Sequence, residues 1–305
     1  MRPMRISVLK GGISAEREVS LRTGAAVAAA FRGLGHDVTE VLVEGEDFRL
    51  PVGCEAVFIA LHGTFGEDGE VQRILEGRGV PYTGCGPESS ARAFDKLASK
   101  RAFVAAGVPT PEFAVCGPET DRPPMAPPVV VKPPRQGSSV GVTRVTDGAR
   151  WREALGEALR FDDPVLVERM VFGRELTVGV LGDEALPVVE IVPHEGFYDY
   201  ANKYTAGRTE YRCPAPLPPG ATERVQAAAL AAHRSLGCEV YSRVDVLLDA
   251  DAAPWVLEVN TIPGMTETSL LPKAAAAKGI PFAALCERIL GLSLDLRGGS
   301  DRKAR

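Results

Sequence analysis

YSRVDVLL (Tyr241–Leu248) and WVLEVN (Trp255–Asn260) are the two stretches that decide the fold. Both are rich in β-branched residues and flank a polar turn at 249–253, which predicts two neighbouring strands. Side chains two positions apart on a strand point to the same face, so each strand directs two polar groups to one side. The polar groups that we expect to converge are Arg243, Asp245, Glu258 and Asn260.

The chemistry of this polar group favours a metal site. Oxygen ligands from Asp245, Glu258 and Asn260 suit a hard cation such as Mg²⁺, which binds few carboxylates together with substrate phosphates. Arg243 could hold an anion or a developing oxyanion. The alternative is a solvated sheet face with surface ion pairs. Against it, the residues between the polar ones are apolar and predict a covered opposite face: Val244, Val246, Leu257 and Val259.

A second candidate site lies in a predicted hairpin. A strand at Val129–Lys132 is followed by the loop Gly137-Ser138-Ser139-Val140-Gly141 and by a returning strand at 142–145. Backbone N–H groups and hydroxyls of such a loop can surround phosphate oxygens, and Lys132 adds a positive charge. The pattern is not a Walker loop, and a plain glycine-serine turn is the open alternative.

The N-terminal region alternates strands and helices. A strand at Ile6–Leu9 and the pair Gly11-Gly12 precede a helical pattern over 14–34, which predicts a parallel sheet. The dinucleotide pattern G-x-G-x-x-G is absent, which argues against a nicotinamide-dependent oxidoreductase. Glu16 near the helix start could simply complement the helix dipole. His62 follows a strand, where open α/β sheets place ligand-binding residues, although a structural role is equally compatible.

Other segments supply further candidates. The segment Pro193–Cys213 carries tyrosines and a lysine, and a connection of this length is typical of a lid; an interface patch is the alternative. The proline-dense segment 117–128 cannot form a helix or a central strand, and the tail at 293–305 is predicted to be disordered. Glu168 and Glu175 either bind a nucleotide or are rim carboxylates.

Composition narrows the class of protein. The 305 residues are 45% hydrophobic and 25% charged, which predicts a globular protein of two or three domains. A formal charge of −5 argues against nucleic acid and anionic membranes as partners. No apolar run reaches the roughly 20 residues that span a bilayer, and we expect a cytoplasmic protein. The six scattered cysteines are expected to be reduced and buried: Cys54, Cys85, Cys116, Cys213, Cys238 and Cys286.

Taken in order, the motifs resemble D-alanine:D-alanine ligases from about residue 6 to residue 292. Each motif is weak alone, but the ordered set is specific. Gln136 departs from the pattern, because many relatives carry an acidic residue before Gly-Ser-Ser, and the segment 117–128 is shorter than in many. The motifs are Glu16 in Ser-Ala-Glu-Arg-Glu-Val-Ser, Leu-His-Gly at 61–63, Gly-Glu-Asp-Gly at 66–69, Asp95-Lys96, Lys132-Pro133, 137–141, Lys203-Tyr204, Arg243-x-Asp245 and 258–266.

The resemblance implies an ATP-grasp fold, of class α/β with an α+β ATP-binding part. It implies three domains: an N-terminal parallel-sheet domain at 1–86, a central domain at 87–171 and a C-terminal domain at 172–305. ATP would lie between the last two. Relatives are commonly dimers, which implies a homodimer.

The family's roles carry over residue by residue. Glu16, through Ser138 and Tyr204, would position the first D-alanine, with His62 close to it. Lys203 would reach the γ-phosphate, and Arg243 with the Gly264 N–H would stabilise the oxyanion. Ser269 and Leu270 would bind the second carboxylate. The nucleotide would contact Lys96, Lys132, Gly137, Ser138, Ser139, Glu168 and Glu175, and two Mg²⁺ ions, with Mn²⁺ able to substitute, would bind Asp245, Glu258 and Asn260.

The resemblance therefore predicts ATP-dependent joining of two D-alanines through a D-alanyl phosphate, for peptidoglycan precursor synthesis. The nearest alternatives are ligases that use D-lactate or D-serine as the acceptor. Lys203-Tyr204 argues against D-lactate, because lactate-using relatives lack this pairing. A nucleotide-binding module without turnover is a further alternative, which the four polar groups at 243–260 argue against.

Overall fold

The computed structural model describes residues 1–193 and 209–298. Its N-terminal part is a three-stranded parallel sheet in the order β2-β1-β3, which confirms the predicted parallel sheet. Two helices cover this sheet. The elements are β1 (Arg5–Gly11), α1 (Arg17–Gly33), β2 (Asp37–Val43), β3 (Ala56–Ile59) and α2 (Glu70–Gly77).

Two short helices, α3 (Pro87–Phe94) and α4 (Lys96–Ala105), lead out of this part. The side chain of Asp95 caps the N-terminus of α4: its Oδ1 accepts hydrogen bonds from the N–H groups of Leu97 at 2.8 Å and Ala98 at 3.1 Å. This N-cap fixes where the helix starts and therefore where Lys96 lies.

The central sheet is antiparallel, in the order β4-β7-β5-β6. Strands β5 and β6 form the predicted hairpin, with Val129 opposite Val145. Residues 137–141, the serine loop, lie in the connection between them. A single turn of 3₁₀ helix at 148–150 precedes the helix that covers the sheet. The elements are β4 (Phe113–Cys116), β5 (Val129–Lys132), β6 (Thr143–Val145), α5 (Trp151–Leu159) and β7 (Val165–Arg169).

Within the described residues the C-terminal sheet has six strands, in the order β11-β10-β8-β12-β13 with β9 beside β8. All its pairings are antiparallel. Its strands are β8 (Arg174–Leu181), β9 (Glu184–Ala185), β10 (Val189–Pro193), β11 (Thr209–Arg212), β12 (Tyr241–Leu248) and β13 (Pro254–Asn260), and its helices are α6 (Ala221–Ser235), α7 (Leu270–Ala277) and α8 (Phe282–Gly298). Gly237, just after α6, has the left-handed φ of 70° predicted for a helix end.

Packing joins these parts more closely than the sequence pattern indicates. Buried residues of α1 share one core with α7 and α8, and Ala93 and Phe103 of α3 and α4 pack in a core with β8, β12 and α6. Helix α4 therefore lies against the C-terminal sheet. The three sheets fall in the ranges 1–86, 87–171 and 172–305, and the division into three domains stays a prediction.

A β-bulge separates Leu257 from the other apolar residues of the strand pair. Asp245 pairs with Glu258 but Val246 pairs with Val256, so the ladder skips Leu257. The covered face predicted for Val244, Val246 and Val259 is confirmed, since all three are buried. For Leu257 that prediction is wrong, because the bulge directs this side chain toward the cavity between the central and C-terminal sheets.

The predicted disordered tail is also wrong over 293–298, where α8 continues to Gly298. Ser293 is buried; its Oγ donates to the carbonyl of Ile289 at 2.7 Å and accepts from the N–H of Gly84 at 3.2 Å. Arg297 donates to the carbonyl of Gly84 at 2.7 Å. These bonds to the N-terminal part hold the last turns of the helix. Residues 299–305 lie outside the described part.

Two smaller findings complete the fold. Cys54 and Cys213 are half-buried, so the prediction that every cysteine is buried fails for these two, which lie at the margins of their cores. Across 1–193 and 209–298, no helix combines the length and apolarity that a bilayer crossing requires.

Candidate active site

The strand pair β12–β13 brings the four polar residues together as the alternation predicts. Arg243 lies opposite Asn260, and Asp245 lies opposite Glu258. The guanidinium of Arg243 donates two hydrogen bonds to the Asp245 carboxylate, from Nε at 2.9 Å and from Nη2 at 2.8 Å. Thr177 of β8 adds a third at 2.6 Å. This bidentate pair fixes the direction of both side chains.

Glu258 faces a lysine from another part of the chain. The Nζ of Lys96 lies 3.1 Å from its Oε2 and also donates to the carbonyl of Gln136 at 2.8 Å. Burial opposes ionisation of Glu258, but Lys96, Lys132 and Arg243 outweigh it and lower its pKa to about 2. Glu258 is therefore a carboxylate at neutral pH, as a metal ligand must be.

The donor set fits a hard cation that is completed by phosphate. Asp245, Glu258 and Asn260 offer only oxygen ligands, and Mg²⁺ typically takes one or two carboxylates and fills its shell with water and substrate oxygens. Within the described chain, no group of three or more His, Cys, Asp or Glu residues could hold a metal by itself. The two carboxylates are instead neutralised by Arg243 and Lys96. An ion at this place would depend on a nucleotide for further ligands.

A cavity of about 340 Å³ lies between the central and the C-terminal sheets. Its size and its mixture of charged and apolar walls suit a nucleotide. Leu257 and Met170 belong to the apolar wall. The predicted site residues that line it are Lys96, Lys132, Gly137, Ser138, Ser139, Glu168, Glu175, Arg243, Asp245, Glu258 and Leu270.

Glu168 of β7 lies at the wall of this cavity between two lysines. Its Oε2 pairs with the Nζ of Lys132 on β5, and its Oε1 pairs with the Nζ of Lys100 on α4. Although burial opposes ionisation, Lys100 and Lys132 hold the pKa of Glu168 below its ordinary value. Sequence reasoning missed Lys100. Its spacing of four residues after Lys96, which places both on one side of a helix, was the available signal.

The serine loop is held in an unusual backbone conformation. Ser138 and Ser139 have φ angles of 52° and 60°, in the left-handed region that non-glycine residues seldom occupy. The Ser138 hydroxyl donates to Oε1 of Glu16 at 2.6 Å, across 122 residues of sequence. Such strain persists where surrounding contacts fix it, and it is common at ligand-binding sites.

Two glycines make room for Glu16. A Cβ on Gly63 or on Gly137 would lie 3.0 Å from Oε2 of Glu16, and Gly63 also has a left-handed φ of 69°. Glu16 thus lies between the loop after β3 and the serine loop.

At the base of the serine loop, Arg135 donates to the carboxylate of Asp162 from its backbone N–H at 3.1 Å and from Nε at 2.9 Å.

His62 connects the N-terminal sheet to the segment after β13. Its Nδ1 lies 2.9 Å from the carbonyl oxygen of Ile262, and its Nε2 lies 3.0 Å from Oγ1 of Thr23. The backbone N–H of Met265 also donates to Oγ1 of Thr23, at 3.4 Å. His62 therefore supports the segment that carries Gly264.

The residues predicted for the second substrate begin α7. Ser269 precedes the helix and accepts a hydrogen bond on its Oγ from the N–H of Thr266 at 3.0 Å. A Cβ on Gly264 would lie 2.9 Å from this Oγ, so a larger residue there would displace the Ser269 hydroxyl. Leu270 reaches the wall of the cavity.

The structure leaves part of the predicted site open. Lys203 and Tyr204 lie outside the described residues. Glu16, His62, Asn260, Gly264 and Ser269 do not line the nucleotide-sized cavity; Glu16 reaches it through Ser138. Sequence reasoning also missed Thr177, because its contact with Asp245 requires the pairing of β8 with β12.

Two antiparallel sheets that hold a nucleotide-sized cavity between them, together with an N-terminal parallel sheet, define an ATP-grasp enzyme. The family models described as "D-ala D-ala ligase C-terminus" and "D-ala D-ala ligase N-terminus" match residues 118–291 and 44–85. The chain belongs to the D-alanine–D-alanine ligase family.

Individual relatives agree with this assignment. A D-alanine–D-alanine ligase of Methylacidiphilum infernorum is 52% identical, covering 95% of this chain and 96% of its own length. The D-alanine–D-alanine ligase of Bacillus anthracis complexed with ATP superimposes with a TM-score of 0.84 at 34% identity, over 98% of this chain and 100% of that one. The VanG D-Ala:D-Ser ligase of Enterococcus faecalis gives a TM-score of 0.83 at 28% identity, over 96% and 100%.

Proposed function

We propose that this protein joins two D-alanines into D-alanyl-D-alanine at the expense of ATP, a step that supplies peptidoglycan precursors. The observation that supports this most directly is the oxygen-ligand pair Asp245 and Glu258, which lines the same cavity as the serine loop. The 52% identity to a D-alanine–D-alanine ligase over nearly the whole chain supports D-alanine as the substrate.

ATP lies in the cavity between the two sheets in this proposal. Lys96 and Lys132 contact its phosphates, Ser138 and Ser139 cover them, and Glu168 and Glu175 accept polar groups of the nucleoside. Two bound Mg²⁺ ions, or Mn²⁺ in their place, would be held by Asp245, Glu258 and Asn260 and would offset the charge of the phosphates.

The reaction has to bring two anions together. The carboxylate of the first D-alanine attacks the γ-phosphorus of ATP, which gives D-alanyl phosphate and ADP. Glu16 binds the ammonium group of this D-alanine. Its hydrogen bond from Ser138 holds the serine loop beside the same substrate. Lys203 and Tyr204, outside the described residues, contribute the γ-phosphate contact and the closure of the lid. Closure excludes water, which would hydrolyse the acyl phosphate.

The second step forms the peptide bond. The amine of the second D-alanine attacks the acyl carbon, and a tetrahedral oxyanion forms before phosphate leaves. Arg243, already oriented by Asp245, and the Gly264 N–H donate to that oxyanion, while Ser269 and Leu270 bind the second carboxylate. His62 keeps the segment around Gly264 in place.

The proposal is tested by phosphate release from ATP. We expect release that requires both D-alanine and Mg²⁺, with D-alanyl-D-alanine as the product identified by mass spectrometry. Glu258→Gln removes one metal ligand and is expected to lower kcat by a factor of about 100 or more while the thermal unfolding temperature stays within a few degrees. No D-alanine-dependent release by the wild-type protein would refute the function.

A D-alanine:D-serine ligase is the second candidate, because the VanG enzyme shares the fold over 96% of this chain. Its identity of 28% against 52% favours D-alanine as the acceptor. Competition between D-alanine, D-serine and D-lactate, with the products separated, decides among the three acceptors. We also propose that the protein is a cytoplasmic homodimer, which light scattering and fractionation test.

A further inference from the structure

Lys100 is a buried charge that the reaction described above does not use. Its side chain is fully buried on α4, and it does not line the nucleotide-sized cavity. A charged group removed from water is costly unless it is paired, so its partners indicate what it does.

Lys100 contacts the central sheet directly, through Glu168, and the C-terminal sheet indirectly, through Thr110 in the loop before β4. Its Nζ pairs with Oε1 of Glu168 on β7 and donates to Oγ1 of Thr110 at 2.5 Å. The Thr110 hydroxyl in turn donates to the carbonyl oxygen of Val256 on β13, at 2.7 Å. Lys100 therefore ties the wall of the cavity to the strand that carries the metal-binding carboxylate.

Glu168 divides its two oxygens between two lysines. Oε1 faces Lys100, and Oε2 faces Lys132, which lies on the cavity wall. If Lys100 were absent, Lys132 would be the one lysine of the described residues still paired with the buried Glu168 carboxylate. Burial lowers the pKa of Lys100 to about 8 against the opposing effect of Glu168, so the two charges depend on each other.

We propose that Lys100 is a positioning residue for ATP: it keeps the Glu168 carboxylate charged and fixed, and so leaves the Lys132 ammonium available to the phosphates. The proposal rests on the proposed function for the identity of the nucleotide. Lys100 raises the affinity for the nucleotide through Glu168.

The first experiment is Lys100→Met, which keeps much of the volume and removes the charge. We expect the KM for ATP to rise about tenfold while kcat changes less than about threefold and the KM for D-alanine is unchanged. Calorimetric titration with a non-hydrolysable ATP analogue and Mg²⁺ is expected to show the same loss of affinity. If the methionine variant does not fold, Lys100→Gln is measured in its place, with the same direction of change expected.

A double-mutant cycle with Glu168→Gln separates positioning from packing. If Lys100 acts through Glu168, replacing Lys100 in the Glu168→Gln background changes the ATP affinity less than about twofold. Additive losses would show that Lys100 acts independently of Glu168 and would overturn the proposal.

Phe103→Leu is the control for loosening of α4, because Phe103 is fully buried on the same helix and packs in the core against the C-terminal sheet. We expect it to lower the unfolding temperature with no change in the KM for ATP. An ATP affinity in the Lys100 variant equal to that of the wild type, in a wild-type protein that ligates D-alanine, overturns this inference alone. A wild-type protein that binds no ATP overturns the proposed function as well.

Discussion

Glu16 shows how a single side chain depends on residues distant in sequence. It accepts a hydrogen bond from Ser138, and the positions of Gly63 and Gly137 leave the space that its carboxylate occupies. Being half-buried at the start of α1, it has a defined direction that a surface glutamate would lack.

We expect Glu16→Gln to raise the KM for D-alanine about tenfold or more, because the amide lacks the charge that pairs with the ammonium group of the substrate. The affinity for ATP should change little. Steady-state kinetics with each substrate varied in turn provide the measurement. Glu18→Gln is the matched control, since Glu18 lies on the same helix with 81% of its side chain exposed. Equal effects of the two substitutions would contradict the role of Glu16.

At the scale of elements, local pattern was sufficient for the hairpin and for the strand pair, and insufficient for contacts between them. Alternation predicts that Arg243 and Asp245 share a face, because this depends on one strand alone. The pairing of Lys100 with Glu168 depends on how α4 lies against β7 of the central sheet, and this tertiary contact is not encoded by local spacing. The last turns of α8 contain Asp295, Arg297 and Gly298 and are held by bonds to Gly84, so their composition resembles a disordered tail although they are helical.

The contact of α6 with β12 predicts a pH dependence of stability. His233 is buried on α6, and its Nδ1 lies 2.7 Å from Oγ of Ser242; burial lowers its pKa to about 4, against the opposing effect of Glu239. The unfolded chain takes up this proton near pH 6.5, so the stability is complete above pH 6.5 and is lost as pH falls towards 4.

We therefore expect the wild-type protein to lose about 2–3 kcal/mol more unfolding free energy between pH 7 and pH 4.5 than His233→Gln, which has no group to titrate there. Urea denaturation of both proteins at the two pH values measures this difference. Parallel losses in the two proteins would show that His233 does not titrate in this way.

At the scale of the whole molecule, the cavity belongs to no single sheet. Lys132 and Glu168 come from the central sheet, whereas Arg243 and Glu258 come from the C-terminal sheet. Lys96 contacts both sides, since its Nζ pairs with Glu258 and donates to the carbonyl of Gln136. A ligand that contacts both sheets stabilises their association, and folding is linked to its binding.

Thermal unfolding should therefore respond to the nucleotide and the metal together. A non-hydrolysable ATP analogue with Mg²⁺ at about 100 times its Kd is expected to add about 2.7 kcal/mol of stability. Chelation of the metal should remove most of the shift, because the phosphates then lose the cation that would bind them to the Asp245 and Glu258 carboxylates. NAD is the negative control, and a shift with NAD equal to that with the ATP analogue would contradict an ATP site.

The β-bulge at Leu257 limits which changes of sequence this wall of the cavity tolerates. Leu257 and Glu258 both reach the cavity although they are consecutive in the chain, so one peptide unit fixes the spacing between the apolar and the acidic contact. Substitution at 257 changes the size of the apolar contact, whereas deletion of this residue would close the bulge and leave Asp245 paired with Glu258 and Val246 paired with Val256 in a regular ladder. The apolar contact beside Glu258 therefore exists only because β13 carries one more residue at this point than β12.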